Sequence, residues 1–213
     1  MPIIHASVGT ELTQAEFESS TLHVMTLMGV QPGIITGATL DRRYPAGAQN
    51  ILALATAGVG VEANYLRVFP FIPPRAITVD RLCCWVSTLL AGNNIKLGIF
   101  DDNAGYPGVL RVDSGPIDTS TATIKDITVS VSMIGGQIYW MGYVLNTITT
   151  LALRKLALGA YLSHLGLSIA NPPVWGMGWR VAHTFANALP NPYTAGGAII
   201  AAANDVIVAV RAT

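Results

Sequence analysis

The chain has 213 residues, of which 51% are hydrophobic and only 11% charged, and its formal net charge is zero. That length suits one good-sized domain plus an extra segment, while the charge content lies well below the roughly 25% of an average soluble domain. Zero net charge, with no basic cluster beyond the pairs Arg42–Arg43 and Arg154–Lys155, argues against a surface built for nucleic-acid backbone.

So bare a surface fits either a membrane protein or a subunit covered by its neighbours. A spanning helix needs about 20 nearly unbroken apolar residues. The stretch 141–165 is interrupted by Arg154 and Lys155, the C-terminal stretch by Asn204 and Asp205, and the run 51–61 is too short. The first eleven residues show no basic stretch ahead of a long apolar core, so no Sec-type leader is expected. Membrane insertion is therefore not expected, and contact between subunits is the better account. The only cysteines, Cys83 and Cys84, are adjacent. Neighbours on an extended strand point to opposite faces, so a mutual disulfide would be strained and synthesis in a reducing cytoplasm is expected.

In chain order, Thr13-x-x-Glu16 is a capping-box pattern, followed by a mixed apolar segment that ends at Gly29. Leu12, Ala15, Leu22 and Met25 would line one face of a short helix. Residues 30–63 are rich in Gly, Ala and Thr and poor in charge, as in an arm that packs on something else. Residues 1–60 are accordingly read as an N-terminal attachment arm and 61–213 as the folded domain.

From residue 64 the apolar period becomes two. Strands are predicted at 65–71 and 76–86, and the inward phase of the second switches near Asp80–Arg81, which predicts a bulge. A third strand runs through 94–100, with Ile95, Leu97 and Ile99 on one face. Turns are expected at 102–105 and at Pro107-Gly108. Ile127, Val129, Val131 and Met133 alternate with polar residues, as in a half-buried antiparallel strand. Gly135-Gly136 marks the next turn. The segment 137–145 is apolar on both faces, so both should be covered. Strands at 179–185 and 206–211 complete the set, and 151–170 is ambiguous between strand and helix. This pattern predicts an all-β, antiparallel sandwich of jelly-roll type.

Several stretches taken together carry a likeness. They are Phe69-Pro70-Phe71-Ile72-Pro73-Pro74-Arg75 with Ile77-Thr78-Val79-Asp80-Arg81, then the run from Leu97 through Asp101-Asp102-Asn103-Ala104-Gly105 to Pro107-Gly108. Asp113-Ser114-Gly115, Gly136-Gln137-Ile138-Tyr139-Trp140 and Gly178-Trp179-Arg180-Val181 follow. In this order and spacing the series resembles a jelly-roll domain of bacteriophage virion proteins, of the tail-fibre, receptor-binding or head-decoration kind, over roughly residues 60–213. The resemblance implies a fold and a setting in the virion, not a catalytic mechanism.

Among chemical candidates, His5, His23, His164 and His183 are scattered with no metal-ligand spacing, and neither a nucleophile elbow nor a phosphate loop is present. Asp80, Asp101, Asp102, Asp113, Asp118 and Asp126 could supply a carboxylate pair for glycoside hydrolysis, but turn aspartates more often bond their own backbone. Asp101, Asp102 and Asn103 form the best calcium candidate, set against the plainer reading of a solvated turn. Of the aromatic residues, Trp85 and Trp140 lie in apolar strands and are expected in the core. Trp175 and Tyr193 sit in Pro- and Gly-rich loops and are the expected ligand or partner contacts.

The reading is thus a non-enzymatic virion subunit without cofactor, a homo-oligomer with three chains as the expected count. It would anchor to capsid or tail proteins, and a host-surface glycan is a further candidate partner. The competing reading is a free carbohydrate-binding module, from which a leader and a well-charged surface would be expected.

Overall fold

The computed structural model describes residues 44–46, 56–59, 62–155, 176–194, 197–201 and 205–213. Within them the chain is all β, with thirteen strands in two antiparallel sheets. The expected helix within 13–28 lies outside the described residues, as do 156–170 of the ambiguous segment; its start is strand β10.

The six-stranded sheet contains β1 (Tyr44–Pro45), β13 (Ala209–Ala212), β4 (Ile77–Thr88), β10 (Ala152–Lys155) and β2 (Thr56–Val59) in that order, with β8 (Ile124–Met133) on the far side of β4. The seven-stranded sheet runs β12 (Ala198–Ala201), β11 (Gly176–Ala182), β3 (Tyr65–Phe71), β9 (Tyr139–Leu145), β5 (Asn94–Asn103) and β6 (Tyr106–Asp113), with β7 (Ile117–Asp118) also against β5. The chain crosses between sheets from β3 to β4, β4 to β5, β7 to β8, β8 to β9 and β9 to β10, the connectivity of a jelly-roll-like sandwich.

The expected domain boundary near residue 60 needs correction. β1 pairs with β13, β2 pairs with β10, and Tyr44 and Ala46 belong to the core between the sheets. The sandwich thus recruits short pieces of the segment read as an arm. Their few residues are too brief to show a period-two pattern.

The inter-sheet core follows the alternation read from the sequence. Phe69, Ile95, Leu97, Ile99, Met141 and Tyr143 of one sheet face Val79, Leu82, Cys84, Val86, Met133 and Val210 of the other. The predicted bulge is present: the β4–β8 register shifts between Val79 and Arg81, moving the inward set from Ile77 and Val79 to Leu82, Cys84 and Val86. That phase carries Trp85 outward, where it is 50% exposed opposite Ile124, while Trp140 is 1% exposed. Trp140 is a core residue as expected; Trp85 is not, because the bulge sets its direction. Pro107 and Gly108 are also not a turn: they lie within β6, and the reversal is made by Ala104 and Gly105, both at positive φ.

Every residue of β9 is buried. One face enters the inter-sheet core, and the other contributes Trp140 and Val144 to a second core with Leu66, Val68, Phe100 and Trp179. Residues 183–194 of the same chain lie over this second face through Phe185, Leu189 and Tyr193. Lys96 Nζ donates to the carbonyls of Phe185 and Asn187 at 2.7 Å each, Leu189 N donates to Asp113, and Tyr193 N to the Gly108 carbonyl. A Cβ at Gly98 would lie 2.6 Å from Leu189 Cδ1, so a larger residue there would require the leucine side chain to shift. The doubly apolar strand is therefore covered within one subunit and does not by itself call for a partner. The strand expected at 179–185 ends at Ala182 because the chain turns there to begin this cover.

Cys83 and Cys84 are both buried, facing opposite sides of β4. Burial pushes the Cys84 thiol up to about 12, only partly countered by Lys125.

Candidate functional site

The β5–β6 hairpin and the β8–β9 connection meet at one end of the sandwich. There they line a polar cleft of about 460 Å³ bounded by Asp101, Asp102, Arg111, Gln137, Ile138 and Tyr139. Its size falls in the range of small-molecule sites, roughly 300–1,000 Å³. The β5–β6 ladder shifts register around Phe100, leaving Arg111 as the extra residue between Leu110 and Val112, which pair with Phe100 and Ile99. This bulge turns Arg111 toward Asp101, and its Nε donates to both carboxylate oxygens at 2.9 and 2.8 Å. The Asp101 carboxylate raises the Arg111 pKa further above its ordinary value. Nε is the only Arg111 nitrogen that bonds to a described residue, so the two terminal amino groups remain available.

Asp102 ties the cleft to the second core. Its Oδ1 accepts from Trp140 Nε1 at 2.8 Å and its Oδ2 from the Gly105 amide at 3.2 Å. Tyr139 is buried beneath, its hydroxyl accepting from the Ile134 amide at 2.9 Å. Gln137 is exposed, and its side-chain amide bonds to no described residue. On the same hairpin, Tyr106 is 46% exposed and stacks on Trp179, with centroids 4.5 Å apart. Trp179 Nε1 donates to the Gly105 carbonyl at 3.2 Å and so ties the pair to the turn.

The calcium candidate Asp101, Asp102 and Asn103 is thereby placed. A guanidinium rather than open space lies against Asp101, and both Asp102 oxygens already accept hydrogen bonds. Calcium needs six to eight oxygens around one point, and among the described residues no three His, Cys, Asp or Glu side chains converge. The geometry is that of a hydrogen-bonding surface. Tyr193, expected as a contact residue, is 5% exposed and packs edge-on against Phe100 at 5.8 Å, so its ring serves the second core. Trp175 lies outside the described residues, as do His5, His23 and His164. Burial lowers the pKa of His183, whose Nε2 has no hydrogen-bond partner among the described residues.

The sequence reading singled out Asp101 and Asp102 for a different role and missed Arg111 and Gln137. Arg111 follows Asp101 by ten residues across a two-residue turn, so folding the hairpin on paper brings them close. Gln137 stands in the stretch Gly136-Gln137-Ile138-Tyr139-Trp140 that carries the likeness, but nothing in that stretch marks it as a contact residue. No helix among the described residues is long and apolar enough to cross a membrane. Compared with known proteins, the chain matches no family model and no curated protein sequence.

Proposed function

We propose that this chain is a structural subunit of a bacteriophage virion, a non-enzymatic appendage or decoration protein that presents its sandwich for particle stabilisation or host attachment. One observation carries the reading. The stretches that resemble phage jelly-roll domains fall in order onto β3, β4, the β5–β6 hairpin, the start of β9, and β11 of one sandwich. Low charge and the exposed apolar side chains of Trp85 and Leu89 support contact between copies, with a trimer as the expected assembly.

The competing reading, a free carbohydrate-binding module, draws on the polar cleft and the exposed Tyr106 ring. Antibodies against the purified chain separate the two when applied to particles from a producing host. Labelling at a fixed position on the particle supports the virion reading, and chain found only in the soluble fraction overturns it. Sedimentation of the purified chain gives the copy number, and a stable monomer at micromolar concentration would remove the trimer.

A further inference from the structure

We infer that the cleft between the β5–β6 hairpin and the β8–β9 connection binds a neutral saccharide through a pair of neighbouring hydroxyl groups. This deepens the host-attachment half of the reading above and rests on it only for biological setting; the binding chemistry stands on the cleft itself.

The lining decides the ligand class. Hydroxyl pairs on a sugar ring both donate and accept, so they are best met by planar side chains that offer both functions side by side. Arg111, pinned through Nε by Asp101, offers two terminal amino groups as donors. The Gln137 amide offers a donor and an acceptor, and the Asp102 oxygens retain accepting capacity beyond the bonds from Trp140 and Gly105. Ile138 adds an apolar contact for the C–H face of a ring.

The charge sum then selects among sugars. Two carboxylates and one guanidinium line the cleft, leaving one net negative charge, which disfavours uronic or sialic acids and favours uncharged hexoses. The arrangement is also held before any ligand arrives. Asp101 fixes Arg111, and Trp140, itself 1% exposed, fixes Asp102, so little ordering remains to be done on binding.

The test is an NMR titration of the full-length ¹⁵N-labelled protein with methyl glycosides of glucose, galactose and mannose, and with glucuronic acid as the anionic counterpart. Shifts centred on Asp102, Arg111 and Gln137 with at least one neutral glycoside, weaker with glucuronic acid, are the expected result. Gln137→Ala and Arg111→Ala should each weaken binding roughly tenfold or more, the scale of losing a hydrogen bond to a charged or fixed partner. Gln137 is exposed and bonded to no other side chain among the described residues, so that variant keeps the test valid if Arg111→Ala perturbs the hairpin. No cleft-centred shift with any neutral glycoside, or tighter binding of glucuronic acid, overturns the inference. Either result leaves the particle-labelling outcome free to go its own way, so the two proposals fail separately.

Discussion

Arg67 on β3 and Asp205, separated by 138 positions in sequence, form an ion pair inside the sandwich, with Nε and Nη2 of the arginine 2.8 and 2.5 Å from Oδ2. Their side chains are 3% and 0% exposed. The Tyr143 hydroxyl and the Val206 amide donate to the other carboxylate oxygen, and Glu62 accepts from Arg67 Nη1 at 2.7 Å. This bond set fixes the chain just before β13 against the β3–β9 pair.

Removing one partner should therefore cost far more than removing both. Asp205→Ala leaves the buried Arg67 guanidinium with Glu62 as its one remaining carboxylate partner among the described residues and is expected to destabilise by about 3 kcal/mol, whereas an apolar replacement of both residues should recover much of that loss. Urea unfolding of Asp205→Ala, Arg67→Met and the Arg67→Met/Asp205→Leu double variant measures the difference. Equal losses in all three would show that the pair acts as ordinary packing.

Acid should weaken the fold through two exterior carboxylates of this kind. Burial works to raise the Glu62 pKa, but the Arg180 hydrogen bond and the charges of Arg67 and Arg180 outweigh it and hold it below its ordinary value. Asp80 is likewise held low, first by its hydrogen bond from Arg211, against burial, and then by the charges of Arg211 and Arg81. A carboxyl with a lower pKa folded than unfolded contributes stability that is fully present above the unfolded carboxylate range, about pH 4. That contribution is lost as pH falls through the folded values. Thermal melts from neutral to acid pH should show this decline, and Glu62→Gln with Asp80→Asn should flatten it while lowering stability at neutral pH.

Gly178 is fixed by space. A Cβ there would lie 2.1 Å from the Val68 carbonyl oxygen and 3.1 Å from Phe69 Cδ1. Gly178→Ala should force β11 away from β3 and cost about 1–3 kcal/mol or more. Hydrogen exchange of the amides that pair Trp179 with Val68 and Val181 with Leu66 should speed up selectively. Unchanged exchange would mean that the strands absorb the methyl group by a small slide.

The two tryptophans of the apolar strands should part company under mutation. Trp140→Ala removes a side chain 1% exposed and its bond to Asp102, for a loss of about 3–5 kcal/mol. Trp85, 50% exposed, should tolerate Ser at a cost near 0.5 kcal/mol in the isolated subunit, the ordinary scale of about ±0.5 kcal/mol for surface changes. A large loss at Trp85 that depends on protein concentration would place it in a contact between copies.

The sequence alone determined the strands and their faces wherever the signal was local. The alternation in 127–133, the phase switch at Asp80–Arg81, the turn at 135–136 and the reversal at Ala104–Gly105 within the expected 102–105 appear where the residues predict them, because side-chain direction and turn chemistry depend on immediate neighbours. Local pattern also predicted that both faces of 137–145 are covered, which holds for 139–145 while Gln137 is exposed, but it did not say by what. Period two distinguishes two faces and carries no information about the layer that lies on each. Tertiary structure alone decided that residues 183–194 cover the second face, that the bulge turns Trp85 outward, and that β1 and β2 join the sheet. It also brought Arg67 to Asp205, and Arg111 to Asp101 beside Gln137. Such pairings depend on strand order and bulge register, which are set by packing the whole sandwich, so no short stretch of sequence records them.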